Sequence, residues 1–526
     1  MRASTTTKTT STGFLSSSRF DGDTRRNRNR RRLGYRESRR RCDDVSVFVR
    51  QSNDGEFDLG QAIGERVRGE TGSTLPPGRV GLLGVRETLE YLGDANGFIE
   101  RRRQKYGDVF KTAMFFKPAV VFGSKESVRE FMTFEGNLPA DEALPETFRE
   151  LHTNYGALRM SGARHQATRA NFGRVLGRAA LEAYAPVIGA RTREFVRSIA
   201  KQEEQSSSTF APGRACVDFS LDLLFELFCG HVPDAKYKRA MLAYNGGLLS
   251  LGKWTQEFKS GKQALEELTT YVRDDYRRVK SAGLLDEEER YFFYKRYSEA
   301  TDEFGQPFDD ERIATTCVLM VWGSYIEAAA LMGHSLLLLG DDDDARRAVL
   351  DEFNQTCCEI DGDDDDEREC RRVGSLSDIM AMQYTAAVAK ESLRVMPQTA
   401  GGLRVNPTAR VFAGYDVPSG YVLTADPRIP FREEANFPDA RAFKPERFVP
   451  GTAEAAKNVV NAETFFPGGM GQHQCPGISL AVVMTQIFLS EMASAFPNGW
   501  RGRGTPSYVQ VPIVILDPNF EIEFVV

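Results

Sequence analysis

The sequence predicts a mainly α fold with small β-sheets, built as a single large domain. Apolar residues recur with helical periodicity over long stretches, at residues 86–103, 141–200, 221–280 and 312–339. Shorter runs rich in β-branched and aromatic residues cluster at the start and the end of this region. No internal repeat divides the chain.

The predicted strands lie near both ends of the folded region. Residues 108–112 and 119–122 form two β-rich runs that predict a small hairpin. Residues 509–516 and 520–526 predict strands at the carboxyl end.

One helix and one loop insertion are predicted between these strands. Apolar periodicity predicts a helix from near Ser377 to Met396, where Pro397 ends it. The acidic runs 341–344 and 363–367 predict solvated loops, and the stretch between them predicts a loop insertion ahead of the helix.

The charge of the chain is nearly balanced. It has 68 Lys and Arg residues against 74 Asp and Glu, a net charge of −6, so no nucleic-acid partner is predicted. Its 8 Cys residues show no disulfide framework spacing, which favours a reducing compartment.

The amino-terminal segment differs from the rest. Residues 1–50 are rich in Ser, Thr and Arg and poor in acids, which is typical of an organelle transit peptide. The late arginines favour a chloroplast over a mitochondrion, and a disordered basic arm is the alternative. Residues 51–74 are a predicted linker to a domain at 75–526. No uninterrupted apolar run of ~18 residues occurs, so we expect a mature protein that is soluble or rests on a membrane surface.

Cys475 is the most informative residue. It lies in the Gly- and Pro-rich segment 465–477, ahead of an amphipathic helix pattern. This layout suits a thiolate ligand of haem iron, because such a loop aims backbone N–H groups at the sulfur and its glycines allow close approach. Gly471 and Gly477 occupy those places. For this stretch alone, a buried loop thiol is the alternative.

The segment resembles the haem-binding loop of the cytochrome P450 family, whose pattern is Phe-x-x-Gly-x-Arg-x-Cys-x-Gly. Gly471, Cys475 and Gly477 stand at the expected spacings, whereas Gly468 replaces the aromatic residue and His473 replaces the arginine. The resemblance implies that Cys475 is the axial ligand of haem b. It also implies that His473 hydrogen-bonds a haem propionate, as an imidazole N–H can.

Two further motifs stand in the order and spacing of that family. Glu391 and Arg394 share one helix face, and Arg447 lies in a Phe-Lys-Pro-Glu-Arg-Phe segment. The resemblance implies that these three residues form a structural charge triad behind the haem. Such a cluster tolerates burial only if every member is paired.

More basic residues match positions that contact the propionates in the family. His165 and Arg169 are four apart on one predicted helix, and Arg404 follows a Gly-rich loop. A solvated basic helix is the alternative for the first two. The resemblance covers about residues 75–526, and residues as distant as His165 and Cys475 must meet around one haem, which implies one large fold.

The family's distal helix normally carries an acid followed by Thr, which together pass protons to dioxygen. Glu327 aligns with the acid as a candidate catalytic residue, but Ala328 and Ala329 replace the hydroxyl residues. Either Ser324, Tyr325 or a water completes the relay, or dioxygen activation is not the chemistry. For Glu327, a structurally paired carboxylate is the alternative.

The resemblance implies an enzyme acting on a lipophilic small molecule. The first hypothesis is a monooxygenase, most similar to the branch that oxidises retinoids, carotenoids and sterols. It would hydroxylate an isoprenoid, carotenoid, sterol or fatty acid with electrons from ferredoxin or an NADPH-dependent flavoprotein reductase. Substrate choice would depend on residues 146–160, 322–330 and 398–403.

The second hypothesis is an enzyme that rearranges or uses lipid hydroperoxides without a redox partner. The missing threonine and the leader resemble the allene oxide synthase side of the family, although the cysteine loop lacks that group's insertion. A haem-binding sensor or carrier without turnover is a third hypothesis.

Overall fold

A long apolar helix, α12 (Asp310–Gly340), runs through the main hydrophobic core. Asp309 caps its start, since the side chain accepts a hydrogen bond of 2.7 Å from the backbone N–H of Arg312. Asp310 and Glu311 in the first turn place negative charge at the positive end of the helix dipole, which stabilises the start of the helix. The helix is apolar on nearly all sides, as expected for a helix buried all round.

The computed structural model describes residues 74–134, 140–206, 209–287, 289–357, 374–399, 401–510 and 513–525. All of them belong to one compact unit at 58–526. The helices are α1 (Val85–Gly93), α2 (Ala95–Tyr106), α3 (Lys125–Met132), α4 (Glu146–Leu151), α5 (Gly162–Leu176), α6 (Arg178–Ser206), α7 (Pro212–Cys229), α8 (Ala235–Leu248), α9 (Gln256–Ser281), α10 (Leu284–Glu287), α11 (Phe292–Ser298), α12, α13 (Asp343–Cys357), α14 (Leu376–Ala381), α15 (Gln383–Val395) and α16 (Ile478–Ala495).

The strands are short and form small sheets. They are β1 (Val109–Met114), β2 (Lys117–Phe122), β3 (Arg404–Val405), β4 (Arg410–Phe412), β5 (Tyr415–Val417), β6 (Val422–Ala425), β7 (Trp500–Gly502), β8 (Tyr508–Gln510), β9 (Val514–Leu516) and β10 (Ile522–Phe524). One sheet has the order β1-β2-β6-β3, in which only the β2–β6 pair is parallel. The pairs β7–β10, β4–β5 and β8–β9 are antiparallel.

Helix α12 packs against α7, α9, α15 and α16. The neighbouring helices α8 and α9 approach each other at two glycines. A Cβ built on Gly247 would lie 2.7 Å from the Gly261 Cα, and one on Gly261 would lie 2.6 Å from the Gly247 Cα. Neither glycine can therefore carry a side chain without separating the two helices.

The predicted mainly α class with small sheets is confirmed, and so is the hairpin, now β1 and β2. The single helix predicted from Ser377 to Met396 is wrong: α14 ends at Ala381 and α15 begins at Gln383. Hydrogen bonds from other elements stabilise the break. The carboxylate of Glu352 accepts from the backbone N–H groups of Tyr384 and Thr385 at 2.6 and 2.8 Å.

The stretch after the first acidic run was predicted as a loop insertion, which is also wrong as far as Cys357. Residues 343–357 form α13, whose residues Ala345, Val349, Phe353 and Cys357 are buried at helical spacing. The second acidic run, 363–367, lies outside the described residues.

The predicted leader and linker, residues 1–50 and most of 51–74, also lie outside the described residues. Within the described part, two helices are long and apolar enough to cross a membrane by length and composition, α12 and α16. Both are mostly buried inside the protein, as core helices are.

Candidate haem-thiolate site

Cys475 ends a tight loop that leads into α16. Its backbone N–H donates to the Gly468 carbonyl at 2.7 Å. Gly469 and Gly471 have φ angles of 78° and 68°, in the left-handed region that favours glycine. A Cβ on Gly468 would lie 2.9 Å from the Cys475 Cβ, so this loop has no room for the aromatic residue of the usual pattern.

The Cys475 sulfur faces an enclosed interior. Its side chain is accessible, yet burial is the largest influence on the thiol and raises its pKa. These two facts agree if the sulfur faces a space surrounded by protein. The backbone N–H groups of Gly477 and Ile478, at the start of α16, hydrogen-bond the sulfur and oppose that rise. Such donors stabilise a thiolate bound to a metal.

Four basic side chains meet beside this loop. His165 and Arg169 extend from one face of α5, Arg404 starts β3, and His473 lies in the cysteine loop. The rings of His165 and His473 stack with centroids 4.0 Å apart. The Arg169 guanidinium donates to the Gln474 carbonyl, which ties α5 to the cysteine loop.

Among the described residues no carboxylate pairs with the basic cluster, and the charge of the Cys475 sulfur acts on Arg169. Burial, followed by the charges of Arg169 and Arg404, lowers the pKa of His165 to about 4. Burial and the same basic neighbours lower the pKa of His473 to about 3, and burial lowers that of Arg404 to about 10. Two arginines and two neutral histidines therefore offer donors to an anion. The two propionates of haem b match this donor set, and Cys475 matches its iron.

Glu327 lies on the face of α12 that lines the same interior. Gly323, one turn earlier, is exposed within an otherwise buried helix, and Ser324 and Glu327 are half-buried. Burial raises the pKa of Glu327 to about 7, and its charge raises the pKa of the Cys475 thiol. No described residue forms an ion pair with Glu327, which disfavours a structurally paired carboxylate.

The hydroxyl groups near Glu327 are poorly placed for a relay. Ser324 donates its hydrogen to the Met320 carbonyl at 2.7 Å. The Tyr325 ring is fully buried in the main core, and its hydroxyl has no partner in the described part of the chain. Ala328 and Ala329 are buried. Of the predicted relay groups, a water beside Glu327 fits this geometry best.

The predicted charge triad is brought together and completely buried. The Arg394 guanidinium makes two bonds of 2.7 Å to Glu391, and Arg447 Nε donates to the same carboxylate at 3.3 Å. Arg394 also donates to the carbonyls of Phe431 and Ala440 at 2.8 and 2.7 Å. Every charge is paired, as burial requires. The triad thereby fixes the irregular segment that leads to the cysteine loop.

Comparison with known proteins identifies the family. The sequence model of the cytochrome P450 family matches residues 76–498. The chain belongs to the cytochrome P450 family. The fold and the enzyme class predicted from the sequence, a P450 monooxygenase, are thereby confirmed.

Among similar P450s is taxoid 7-beta-hydroxylase of Taxus cuspidata, 25% identical, with 80% of this chain and 83% of the relative covered. Cytochrome P450 26A1 of Danio rerio is 22% identical, with 86% of this chain and 90% of the relative covered. The solved structure of retinoic acid-bound cyanobacterial CYP120A1 superposes with a TM-score of 0.73 at 20% identity, covering 86% of this chain and 100% of that one.

The structure of this P450 also shows how two of the segments predicted to determine substrate choice, 146–160 and 322–330, contact each other. Trp322 on α12 donates from its indole N–H to the Asn245 side chain on α8 at 3.0 Å. The rings of Phe148 and His152, from α4 and its end, pack edge-on against the same indole at 5.6 and 5.3 Å. Asn245 lies in the stretch 221–280 that is predicted to be helical, but a polar residue ahead of two glycines does not indicate a partner on another helix, so this contact could not be predicted.

Proposed function

We propose that this P450 hydroxylates an isoprenoid-derived lipophile. The observation that carries the proposal is Glu327, an unpaired acid with a pKa of about 7, on the α12 face toward Cys475. The similar proteins support the substrate class, because taxoids and retinoic acid, which occur in their names, are isoprenoids. Their identities of 20 to 25% leave the particular substrate open.

Each group of residues has a distinct task in this proposal. Haem bound through Cys475 supplies dioxygen activation and the insertion of an oxygen atom into a C–H bond. Gly477 and Ile478 hold the thiolate with their backbone N–H groups. His165, Arg169, Arg404 and His473 bind the propionates and orient the ring. Trp322 packs against Phe148 and bonds to α8, and so joins the two segments, 146–160 and 322–330, that are predicted to determine substrate choice.

Glu327 moves protons in this proposal. With a pKa of about 7, its carboxyl group exchanges protons readily near neutral pH. The open side of Gly323, where an added Cβ would meet no atom within 4 Å, leaves room for a water next to the carboxyl. That water takes the place of the hydroxyl that Ala328 lacks.

We propose that the electron donor has an acidic docking surface, as ferredoxins do. Helix α5 contains Arg164, Arg169 and Arg174 and no acidic residue, and Arg178 follows at the start of α6. The bond from Arg169 to the cysteine loop places this helix close to Cys475. These arginines are spaced around α5 and not along one face, and Arg174 and Arg178 pair with Glu299 and Glu182 at 3.5 and 2.9 Å. We expect the positive charge of α5, which has no acidic residue of its own, to attract an acidic donor to the thiolate side of the haem. A flavoprotein reductase is the alternative donor.

Residues 1–50 are proposed to direct the protein to a plastid, on their composition alone. Fusion of residues 1–74 to a fluorescent protein tests this. Import into isolated chloroplasts with removal of the leader is expected, whereas import into mitochondria or no import contradicts the proposal.

The main test is reconstitution of the haem-loaded protein with NADPH, ferredoxin and ferredoxin reductase. We expect oxygen- and NADPH-dependent hydroxylation of a retinoid or diterpenoid. The same protein without any reductant is given fatty-acid hydroperoxides as the comparison. Rapid isomerisation of hydroperoxides without oxygen uptake, together with no NADPH-dependent product, would favour the hydroperoxide chemistry that the two alanines allow. A thiolate-haem spectrum with neither activity would favour a sensor or carrier.

A further inference from the structure

A short loop, residues 230–234, joins the end of α7 to the start of α8 at Ala235. Gly230 has a φ angle of 81°, and a Cβ on it would lie 2.5 Å from the Tyr291 ring. The loop therefore begins at a point that is packed tightly against the core. The next residue, His231, has 31% of its side chain exposed, so water reaches the imidazole.

His231 bonds to two residues on one face of α9. Its Nε2 lies 3.3 Å from the Asp275 Oδ2, and its Nδ1 lies 3.3 Å from the Tyr271 hydroxyl. Tyr271 and Asp275 are four residues apart and share that face. Tyr237 of α8 stacks on the Tyr271 ring, with centroids 3.7 Å apart. His231 therefore connects the end of α7 to α9 and, through the Tyr271 ring, to the first turn of α8.

The Asp275 carboxylate stays charged near neutral pH. Arg278 donates to its Oδ1 at 2.7 Å, and the hydroxyl of Tyr294 on α11 donates to its Oδ2 at 3.2 Å. Burial opposes ionisation, but the hydrogen bonds from His231 and Arg278 lower the pKa of Asp275 overall. A fixed negative charge therefore faces the imidazole.

His231 itself titrates near neutral pH. The hydrogen bond to Asp275 raises the pKa of His231, burial opposes this rise, and the Asp275 charge and the Cys229 sulfur add to it. Burial raises the pKa of Tyr271, with Asp234 of the loop as a further negative charge beside it, so the phenol stays neutral. Protonation of the imidazole makes its bond to Asp275 charge-assisted. It also gives Nδ1 a hydrogen to donate to the carbonyl of the next residue in the loop at 3.4 Å.

Other ion pairs attach α8 and α9 to the rest of the protein. Lys238 of α8 pairs with Asp222 of α7 at 2.5 Å, and Arg277 of α9 pairs with Asp310 of α12 at 2.7 Å. Lysine, arginine and aspartate normally keep their charges between about pH 6 and 8. Of the attachments named here, the one through His231 therefore changes in strength over this range.

We propose that His231 is a pH-sensitive clamp, which holds the start of α8 and the adjoining turn of α9 against the end of α7 when its ring is protonated and loosens them when its ring is neutral. The pKa of His231 is raised in the folded protein above its ordinary value of about 6.5. The stabilisation is therefore fully present below that pH and is lost as pH rises through the raised pKa. Helix α8 also bonds to Trp322, so the clamp couples pH to the segment 322–330 that is predicted to determine substrate choice. This inference does not depend on the substrate class proposed above.

The test is hydrogen exchange of the haem-loaded full chain, measured by mass spectrometry. Protection of residues 230–240 is compared across the range from about pH 6 to about pH 8.5, relative to the exchange rate of an unstructured peptide at each pH. We expect protection to fall roughly threefold as the ring loses its proton, the size of effect that one partly exposed ion pair gives.

Variants then assign the pH dependence to the imidazole. His231→Gln keeps a donor and an acceptor but does not titrate, so its protection is expected to be low and independent of pH. His231→Arg keeps a positive charge beside Asp275 and is expected to retain the low-pH protection over the whole range. Lys238→Gln is the matched control, because it removes a bond between α8 and α7 whose charge is constant. Its protection is expected to be lower at every pH and to keep the pH dependence of the wild type.

The outcomes decide between the clamp and a general effect of pH on the fold. Loss of the pH dependence in His231→Gln but not in Lys238→Gln supports the clamp. The clamp is refuted if wild-type protection stays constant or rises with pH, if His231→Gln retains the wild-type fall, or if Lys238→Gln loses the pH dependence as well. The hydroxylase proposal stands in every case.

Discussion

The buried charge triad gives the sharpest stability prediction, through the substitution Glu391→Gln. Glu391, Arg394 and Arg447 have fully buried side chains. The carboxylate of Glu391 accepts from both arginines and from the backbone N–H of Lys444 at 2.9 Å. A neutral amide would leave two buried guanidinium groups without their counter-charge. Removing one partner of a buried ion pair costs about 3–5 kcal/mol.

This loss converts to a measurable temperature. Unfolding about 450 residues raises the entropy by about 1 kcal/mol/K, so each kcal/mol lowers the melting temperature by about 1 °C. We expect Glu391→Gln to melt about 3–5 °C below the wild type in paired scanning calorimetry runs, provided that the domain unfolds cooperatively.

A matched control tests whether burial is the cause. Glu194 also pairs with an arginine three residues away, Arg191, but its side chain is 71% exposed. Glu194→Gln is expected to change stability by no more than about 0.5 kcal/mol. A melting temperature of Glu391→Gln within 1 °C of the wild type, or an equal fall for Glu194→Gln, would refute the reasoning.

Three further predictions concern the site. Cys475→Ser is expected to abolish the thiolate signature in the absorption spectrum of the reduced carbon monoxide complex, and an unchanged spectrum would mean that another residue binds iron. Arg404→Ala, which removes a donor from the basic cluster, is expected to weaken haem retention; transfer of haem to apomyoglobin measures it, and transfer at the wild-type rate would exclude this role. The pKa of Glu327 is raised by burial to about 7, so the folded protein binds a proton that the unfolded chain releases, and the wild type loses stability as pH rises from about 4.5 to 7. We expect the melting temperature of Glu327→Gln to equal that of the wild type below pH 4.5 and to rise relative to it between pH 4.5 and 7. If the two melting temperatures change in parallel with pH, the raised pKa of Glu327 is contradicted.

The parts of the site that could be predicted from sequence are those with strict local requirements. Cys475 needs glycines at fixed offsets, and Glu391 and Arg394 need helical spacing, so their pattern is visible without a structure. The structure brings these residues and the four basic ones together as the resemblance implied. Their roles toward haem stay predictions that the variants above test.

The parts that could not be predicted depend on partners far away in the chain. The break at Met382 is stabilised by Glu352 and by Gln486, whose side chain donates to the carbonyls of Ile379 and Met382 at 3.1 and 3.0 Å. No pattern within residues 376–396 indicates these hydrogen bonds, because their partners lie elsewhere in the chain.

The contact between Gly247 and Gly261 has a consequence for motion. Backbones in direct contact leave no flexible side chains to absorb sliding, so α8 and α9 are expected to shift as one rigid body. The bond from Trp322 to Asn245 ties that body to α12. If α8 moves, this hydrogen bond must either break or move together with α8. The surroundings of the Trp322 indole then change, so its fluorescence reports the movement. We expect the fluorescence of Trp322 to change when substrate enters, at the rate at which α8 and α9 move.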